Sequence, residues 1–439
     1  MGKLIDLYEL AKVNLVGGVS AGGRHHAVFG QPIYMLRADG SKLYDAEGNM
    51  FLDFHTSAGA AIFGYNHPRI KSAVNKAIDL GFYLNFDSEY HVELAKLCKQ
   101  IFPCAEMIRF SNTGTEATMA AVRLARGFTG NDIIIRFEGH FHGMNELVWY
   151  NHNHEGCMDE IGEIVNIPDT AGIPSCFSDV VKNVEYNDIS ALDRIVSRYK
   201  GKIAAIILEP ISFNCGCYPP SDGYLHAVRD ICDREGIVLI FDEVISGLRL
   251  RPGSAQAYFD VIPDIAVFAK AIGGGFPLAI LAGKERIMKT LNPLGPVVMS
   301  GTYTASIMPV LASIECLKMS LEPSYFDHIE RIGDMLYRGI NDLMKKHSIK
   351  GHLRGMGARF GLYFGVEDPD DDFNWRKVKQ NFNSEINKKF LQKSLEYNLY
   401  FHDYGTSPVP AHNGFGVSHS IEDINWALER IDKIFMEIK

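Results

Sequence analysis

No run of 18 or more apolar residues occurs in the 439-residue chain, so no membrane-crossing helix is expected. Nor is there a Cys-x-x-Cys pair. Of the eight cysteines, Cys215 and Cys217 stand closest, a spacing that suits neither a zinc knuckle nor a disulfide ladder. All of them read as reduced thiols, which points to a cytoplasmic protein. Lys and Arg number 44 against 53 Asp and Glu, a net charge of −9, with no basic arm or stripe; nucleic acid is not an expected partner. The opening Met1-Gly2-Lys3-Leu4-Ile5-Asp6-Leu7-Tyr8-Glu9 is too charged for a signal peptide. No internal repeat or low-complexity tract is present. What the chain does have is 46% hydrophobic residues, ample for a large core.

Residues 33–54 alternate as strands around Asp45-Ala46-Glu47-Gly48-Asn49, a hairpin signal. Asn66-His67-Pro68 then opens a helix, with Asn66 suited to the cap and Pro68 to the first turn. From about residue 75 to 310 strands and helices alternate. The apolar runs 133–137, 203–208, 237–241 and 265–268 are short and rich in Ile and Val, as strands covered on both faces are, so a mainly parallel sheet is expected. Beyond about residue 310 the pattern turns to long helices, then strands near 360–366 and 414–418. The acidic stretch Asp368-Pro369-Asp370-Asp371-Asp372 lacks the glutamate an EF-hand needs, since Lys379 stands there; it reads as a solvated loop. Asn151-His152-Asn153-His154 has no acidic or thiol support for a metal and also reads as loop.

Lys270 sits alone at the end of an apolar run, before Gly273-Gly274-Gly275, and 28 residues after Asp242. Burying an ammonium is costly unless something uses it, and one use is a Schiff base with an aldehyde. Asp242 likewise ends the run Ile237-Val238-Leu239-Ile240-Phe241 and could face a heterocyclic cation. An imine-forming lysine and an acid for a ring nitrogen are what pyridoxal 5′-phosphate (PLP) needs. The third part lies upstream, where Thr113-Gly114-Thr115 precedes the helical stretch Met119–Arg126. Free N–H groups and the dipole at a helix start bind phosphate; Gly114 lets the backbone come close, and the threonines add hydroxyls. Leu239–Glu243 also resembles the acidic strand of a P-loop ATPase, but no Gly-x-x-x-x-Gly-Lys-Ser/Thr accompanies it.

Together, Asn112–Glu116, Phe137-Glu138-Gly139-His140-Phe141-His142-Gly143, Asp242-Glu243-Val244 and Lys270 resemble a class III aminotransferase of the PLP fold type I superfamily. The branch most similar is the glutamate-1-semialdehyde aminomutase type, on Arg123–Gly130, on Gly17-Gly18-Val19 with Arg24 beyond, and on His419-Ser420-Ile421-Glu422-Asp423-Ile424. The resemblance implies an α/β fold. Its large PLP domain, residues 71–310, holds a mainly parallel sheet; a smaller α+β domain is made from residues 1–70 and 311–439. It also implies a homodimer with shared sites.

Residue by residue, the resemblance makes Lys270 the Schiff-base lysine and general base and Asp242 the partner of the pyridine N–H. Phe141 takes the place of the ring that stacks on the pyridine, where the family often has Tyr. His142, Glu209, Asn214 and Val244 are expected near the cofactor, with Thr113, Gly114 and Thr115 at the phosphate. Gly301-Thr302 matches the pair that reaches the phosphate of the neighbouring subunit. Arg24 falls where the aminomutase-type branch holds a substrate carboxylate, and its planar fork suits that task.

The departures cluster where substrate should sit. Aminomutases carry a glutamate ahead of a Gly-Phe pair, whereas this chain reads Pro410-Ala411-His412-Asn413-Gly414-Phe415. Tyr303–Pro309 replaces the small Gly-Asn-Pro gate of that branch, and Phe141 loses a hydroxyl. The expectation is an aminotransferase moving an amino group from a small-molecule donor to a keto or aldehyde acceptor that bears a carboxylate. A glutamate-1-semialdehyde aminomutase and an amino acid epimerase or racemase are the alternatives.

Overall fold

The computed structural model describes residues 2–367, 374–402 and 408–438; the acidic stretch Asp368–Asp372 lies outside the described residues. The chain divides into two compact units. The first comprises Met1–His67, Asp327–Asp370 and Val378–Lys439, the second Pro68–Phe326 and Asp371–Lys377.

In the first unit, β1 (Met35–Asp39), β2 (Lys42–Asp45) and β3 (Met50–Asp53) form an antiparallel meander. The turn between β2 and β3 is made by Asp45, whose Oδ1 accepts from the Glu47 and Asn49 N–H groups at 2.9 and 2.8 Å, the local bonding that makes aspartate a turn residue. Asn66 does not cap the helix Pro68–Asp79: it lies outside the cap position at φ +55°, a left-handed conformation that asparagine tolerates.

The second unit is built on β4 (Met107–Ser111), β5 (Ile133–Phe137), β6 (Val181–Val184), β7 (Ile203–Leu208), β8 (Val238–Asp242), β9 (Ile265–Phe268) and β10 (Ala279–Gly283). They form one seven-stranded sheet in the order β4-β10-β9-β8-β7-β5-β6. Strand β10 runs antiparallel to both neighbours; β6, β5, β7, β8 and β9 pair in parallel. Every residue of β5, β7, β8 and β9 is buried. The reason is cover on both faces, which removes any need for alternating polarity. The helix Gly114–Thr129 packs on this sheet through Ala117, Ala120, Ala121 and Ala125 against Ala205, Ile207, Ile240 and Val267, the small side chains letting the helix lie close.

The chain returns to the first unit with β11 (Gly351–Met356), β12 (Arg359–Phe364), β13 (Leu399–Tyr400) and β14 (Asn413–Gly414). Strand β13 adds to β3 in parallel, and β11, β12 and β14 form a separate antiparallel sheet. The strand expected over 414–418 is only the two-residue β14, because Phe415 and the residues after it turn toward the helix Ile421–Ile438. Phe54, Phe360, Phe390 and Phe401 make the aromatic core of this unit, with Phe54 stacked on Phe401 at 4.9 Å.

Parallel pairing has one consequence for chemistry. Strands β4, β5, β7, β8 and β9 all end at the same edge of the sheet, and the loops that leave them converge there, where open α/β sheets bind ligands.

Candidate active site

A cavity of about 300 Å³ opens at that edge. The helix start after β4 contributes Thr113, Gly114 and Thr115, the loop after β5 Phe141 and His142, that after β7 Glu209 and Asn214, the end of β8 Asp242 with Val244 just beyond, and the turn after β9 Lys270. The fold therefore gathers onto one wall residues that stand far apart in the chain.

Lys270 opens a short 3-10 turn after β9 and takes φ +52°. A non-glycine residue held there stores of order 1–3 kcal/mol, and such positions concentrate at functional sites. Asp242, the last residue of β8, is 5% exposed. Its Oδ1 accepts from the Val244 N–H at 3.1 Å, and its Oδ2 lies 2.8 Å from His142 Nδ1. Burial pushes the Asp242 carboxyl up to about 7, with the Val244 bond and the Lys270 charge opposing the rise. His142 is held well below the usual histidine range by burial and by the Arg136 charge. A neutral ring next to an acceptor-only carboxylate donates through Nδ1–H, which leaves its buried Nε2 without a hydrogen-bond partner among the described residues.

The helix start is formed as the sequence suggested. Thr113 caps it, its hydroxyl accepting from the Glu116 N–H at 3.1 Å, and Glu116 reaches back to the Asn112 N–H at 2.7 Å. The Gly114 and Thr115 N–H groups lie in the first turn, where no intrahelical acceptor exists. A Cβ on Gly114 would come within 3.0 Å of Val244 Cγ2. Gly143 is pinned in the same way: a Cβ there would stand 2.3 Å from the Thr115 hydroxyl.

Phe141 is half-buried in the cavity wall, and its N–H donates to Glu209 Oε1 at 2.9 Å. The other Glu209 oxygen accepts from the Asn214 N–H at 3.3 Å. Burial first, then the nearby Asp242, pushes Glu209 up to about 7. Glu209 is thus a brace between two loops of the wall. His152 is a second brace, with Nδ1 donating to the Gly139 carbonyl at 2.7 Å.

Two predicted residues are not among those that line this cavity. Arg24 belongs to the first unit, is exposed, and donates to Ser20 Oγ at 2.5 Å. It lines a pocket of about 280 Å³ together with His25, His55, Tyr400 and His402 and makes no ion pair among the described residues. Thr302 is exposed and does not line the Lys270 cavity. Conversely, Thr118, Gly143, Ile245 and the stretch Phe276–Leu278 line the cavity without having been singled out. Phe276–Leu278 precede β10, whose reversed direction brings its beginning to the edge where its neighbours end; nothing in the local pattern announces that reversal.

Comparison with known proteins agrees with this geometry. The family model for class III aminotransferases matches residues 25–435. The chain is 35% identical over 436 residues to a glutamate-1-semialdehyde 2,1-aminomutase of Methanosphaera stadtmanae, covering 98% of each. It is 37% identical over 406 residues to glutamate-1-semialdehyde 2,1-aminomutase 2 of Lachnoclostridium phytofermentans, covering 91% of this chain and 92% of that one. Among solved structures, an omega-transaminase from Sphaerobacter thermophilus superposes with a TM-score of 0.91 at 27% identity, over 99% of this chain and 97% of the other.

Proposed function

The chain belongs to the class III aminotransferase family, and from that premise we propose that it moves an amino group between a small-molecule donor and a carboxylate-bearing keto or aldehyde acceptor. The observation that carries the reading is the single cavity in which Lys270, the buried Asp242 with its two donors, and the open helix start at Gly114 meet.

The cofactor of this chemistry is PLP, and the residues present fit it. Gly114 brings bare backbone to the cavity at a place where Val244 Cγ2 leaves no room for a Cβ, and the first-turn N–H groups offer donors for a phosphate. Asp242 offers a buried anion for a cationic ring nitrogen. When bound, PLP supplies an aldehyde for amines and a ring that accepts electrons from the substrate Cα. The chain supplies the rest. Lys270 would hold the group through Nζ, and the same amine is placed to move a proton at the substrate Cα. Asp242 would pair with the ring nitrogen and favour its protonated form, while the Val244 N–H and the Lys270 charge favour the Asp242 anion against its burial. Phe141 would offer the ring an apolar surface in the cavity wall.

Several finer assignments belong to the same proposal. Lys270 and Asp242 are the catalytic residues. Thr113, Gly114, Thr115, Phe141, His142, Glu209, Asn214 and Val244 form the cofactor wall. Arg24, which has no carboxylate partner among the described residues, binds the substrate carboxylate. Thr302 serves the neighbouring subunit of a homodimer, in keeping with its exposure and its absence from the wall of its own chain's cavity. The protein works in the cytoplasm.

A second reading, glutamate-1-semialdehyde aminomutase, is favoured by the names of the two curated relatives. Against it stands the lack of an acid in Pro410–Phe415 ahead of the Gly-Phe pair; His412 in that stretch is fully buried, its carbonyl accepting from Arg359 Nη2 at 2.7 Å. Supplying the purified enzyme with glutamate-1-semialdehyde, and separately with amino donor and acceptor pairs, tests the choice. Transfer between separate donor and acceptor with poor 5-aminolevulinate formation is expected; efficient 5-aminolevulinate formation selects the aminomutase. Arg24→Ala should weaken a carboxylate-bearing substrate by roughly 1.5–3 kcal/mol, the range for hydrogen bonds to charged groups, and leave a simple amine unaffected. An equal loss for both removes Arg24 from the substrate site.

A further inference from the structure

Behind the cavity wall a buried carboxylate is paired with a half-buried arginine that the reaction does not use. Glu138 follows β5 directly, and its side chain is 1% exposed. Arg376 grips it with a fork: Nε donates to Oε2 at 2.6 Å and Nη2 to Oε1 at 3.2 Å. The same Nη2 donates to the Gly156 carbonyl at 2.7 Å, and the Gly156 N–H donates to Glu138 Oε1 at 3.1 Å. Arg376 comes from far along the chain, in the short stretch Asp371–Lys377 that belongs to the second unit although the chain on both sides belongs to the first.

Next to it, Trp375 is 2% exposed and stands against Gly139. A Cβ on Gly139 would lie 2.6 Å from Trp375 Cδ1 and 2.5 Å from Cys215 Sγ, and the residue sits at φ +85°. Its N–H donates to the Asn151 carbonyl at 2.7 Å, and its own carbonyl accepts from His152 and Cys215. Just beyond, the loop reaches the cavity. Phe141 is tied to Glu209, His142 to Asp242, and the His142 carbonyl accepts from the Thr118 hydroxyl at 2.7 Å. The loop Glu138–Gly143 is therefore held at its cavity end by Glu209, Asp242 and Thr118, and at its rear by Arg376 and Trp375.

A fork on a buried carboxylate fixes direction as well as position, and removing the cation would strand Glu138 in a site where an unpaired charge is strongly unfavourable. We propose that Arg376, with Trp375, is a positioning residue for the cofactor site: it sets the loop Glu138–Gly143 so that Phe141 meets the cofactor ring and His142 meets Asp242. The proposal rests on reading the cavity as a PLP site.

The test titrates the apoenzymes of wild type, Arg376→Met, Glu138→Gln and the double variant with PLP. It follows the absorbance of the bound cofactor and its visible circular-dichroism band, with thermal melts of the apoproteins in parallel. Each single variant should bind PLP about tenfold more weakly, the lower end of what outer partners cost in metal sites. Each should also show a smaller dichroic band at saturation, because the band reports the asymmetric seating of the ring. The double variant should be no worse than Arg376→Met, since the two groups act as one unit. Glu138→Gln keeps the shape of the side chain and carries the test alone if Arg376→Met does not fold. Wild-type affinity and an unchanged band in the folded variants, even with a lower apoprotein melting temperature, would mean that the pair serves only the fold and would overturn the proposal. Failure of the wild-type protein to bind PLP would overturn the reading of the cavity itself.

Discussion

Replacing Asp242 by asparagine separates what the carboxylate does for the fold from what it does for the reaction. The carboxylate accepts two hydrogen bonds, one on each oxygen, from the Val244 N–H and from His142. Asparagine has one acceptor oxygen. The Val244 donor is fixed in the backbone and claims it, so the amide NH₂ must face His142 Nδ1. The imidazole answers by moving its proton to Nε2, which has no partner among the described residues. That orphaned donor costs about 1–3 kcal/mol. It is offset by the removal of a carboxyl whose ionised form is disfavoured by burial, as its shift to about 7 records. The apoprotein should therefore fold with stability close to wild type. Catalysis has no such offset, because the neutral amide cannot hold a cationic ring nitrogen. Removing one preorganised electrostatic partner costs roughly 2.7–4 kcal/mol of transition-state stabilisation, about 10²–10³ in rate. The assay is a single-turnover reaction of PLP-loaded Asp242→Asn with an amino donor, after PLP binding has been verified by absorbance. Loaded Asp242→Asn that turns over like wild type would refute the assigned role.

Borohydride reduction of the PLP-loaded enzyme should attach the cofactor to one peptide containing Lys270, and Lys270→Ala should lose turnover almost entirely; label on another lysine contradicts the site. Gly114→Ala should lower the stability of the apoprotein by about 1–3 kcal/mol, the usual cost of overpacking, because the new Cβ presses on Val244 at 3.0 Å; an unchanged melting temperature argues against this close packing. The buried carboxyls should cost the apoprotein stability as pH rises toward and through about 7. Asp242, Glu209 and Glu243 are each pushed up to about 7 by burial, so the folded chain keeps protons that the unfolded chain has released. The resulting stabilisation is complete below the unfolded carboxylate range and is lost as pH rises through about 7. Buried neutral histidines such as His140 and His142 act in the opposite sense only below their unfolded value of 6.5. Above about pH 6.5, where the histidines no longer oppose, melting temperatures should fall and then level off past about pH 7.5; a rise over that range contradicts the burial of these carboxyls.

Much of this protein was legible in one dimension. Short runs of Ile and Val without alternation marked β5, β7, β8 and β9 as covered on both faces, because an apolar residue at every position has no solvent side to turn to. Lys270 and Asp242 stood out since a charge ending such a run must be used or neutralised, and Thr113-Gly114-Thr115 carried the local chemistry of a helix start. What the sequence did not disclose depends on pairings between distant segments. His142 meets Asp242 100 residues away and Arg376 meets Glu138 238 residues away; neither partner carries a local mark of the other. The reversed β10, which brings Phe276–Leu278 to the cavity, is set by its pairing between β4 and β9, and β4 lies far from it in the chain. Periodicity and turn chemistry act over a few residues, so the sequence alone determined the elements and their reactive ends. Burial is shared by the whole unit, so only the tertiary structure decided which ends face one another.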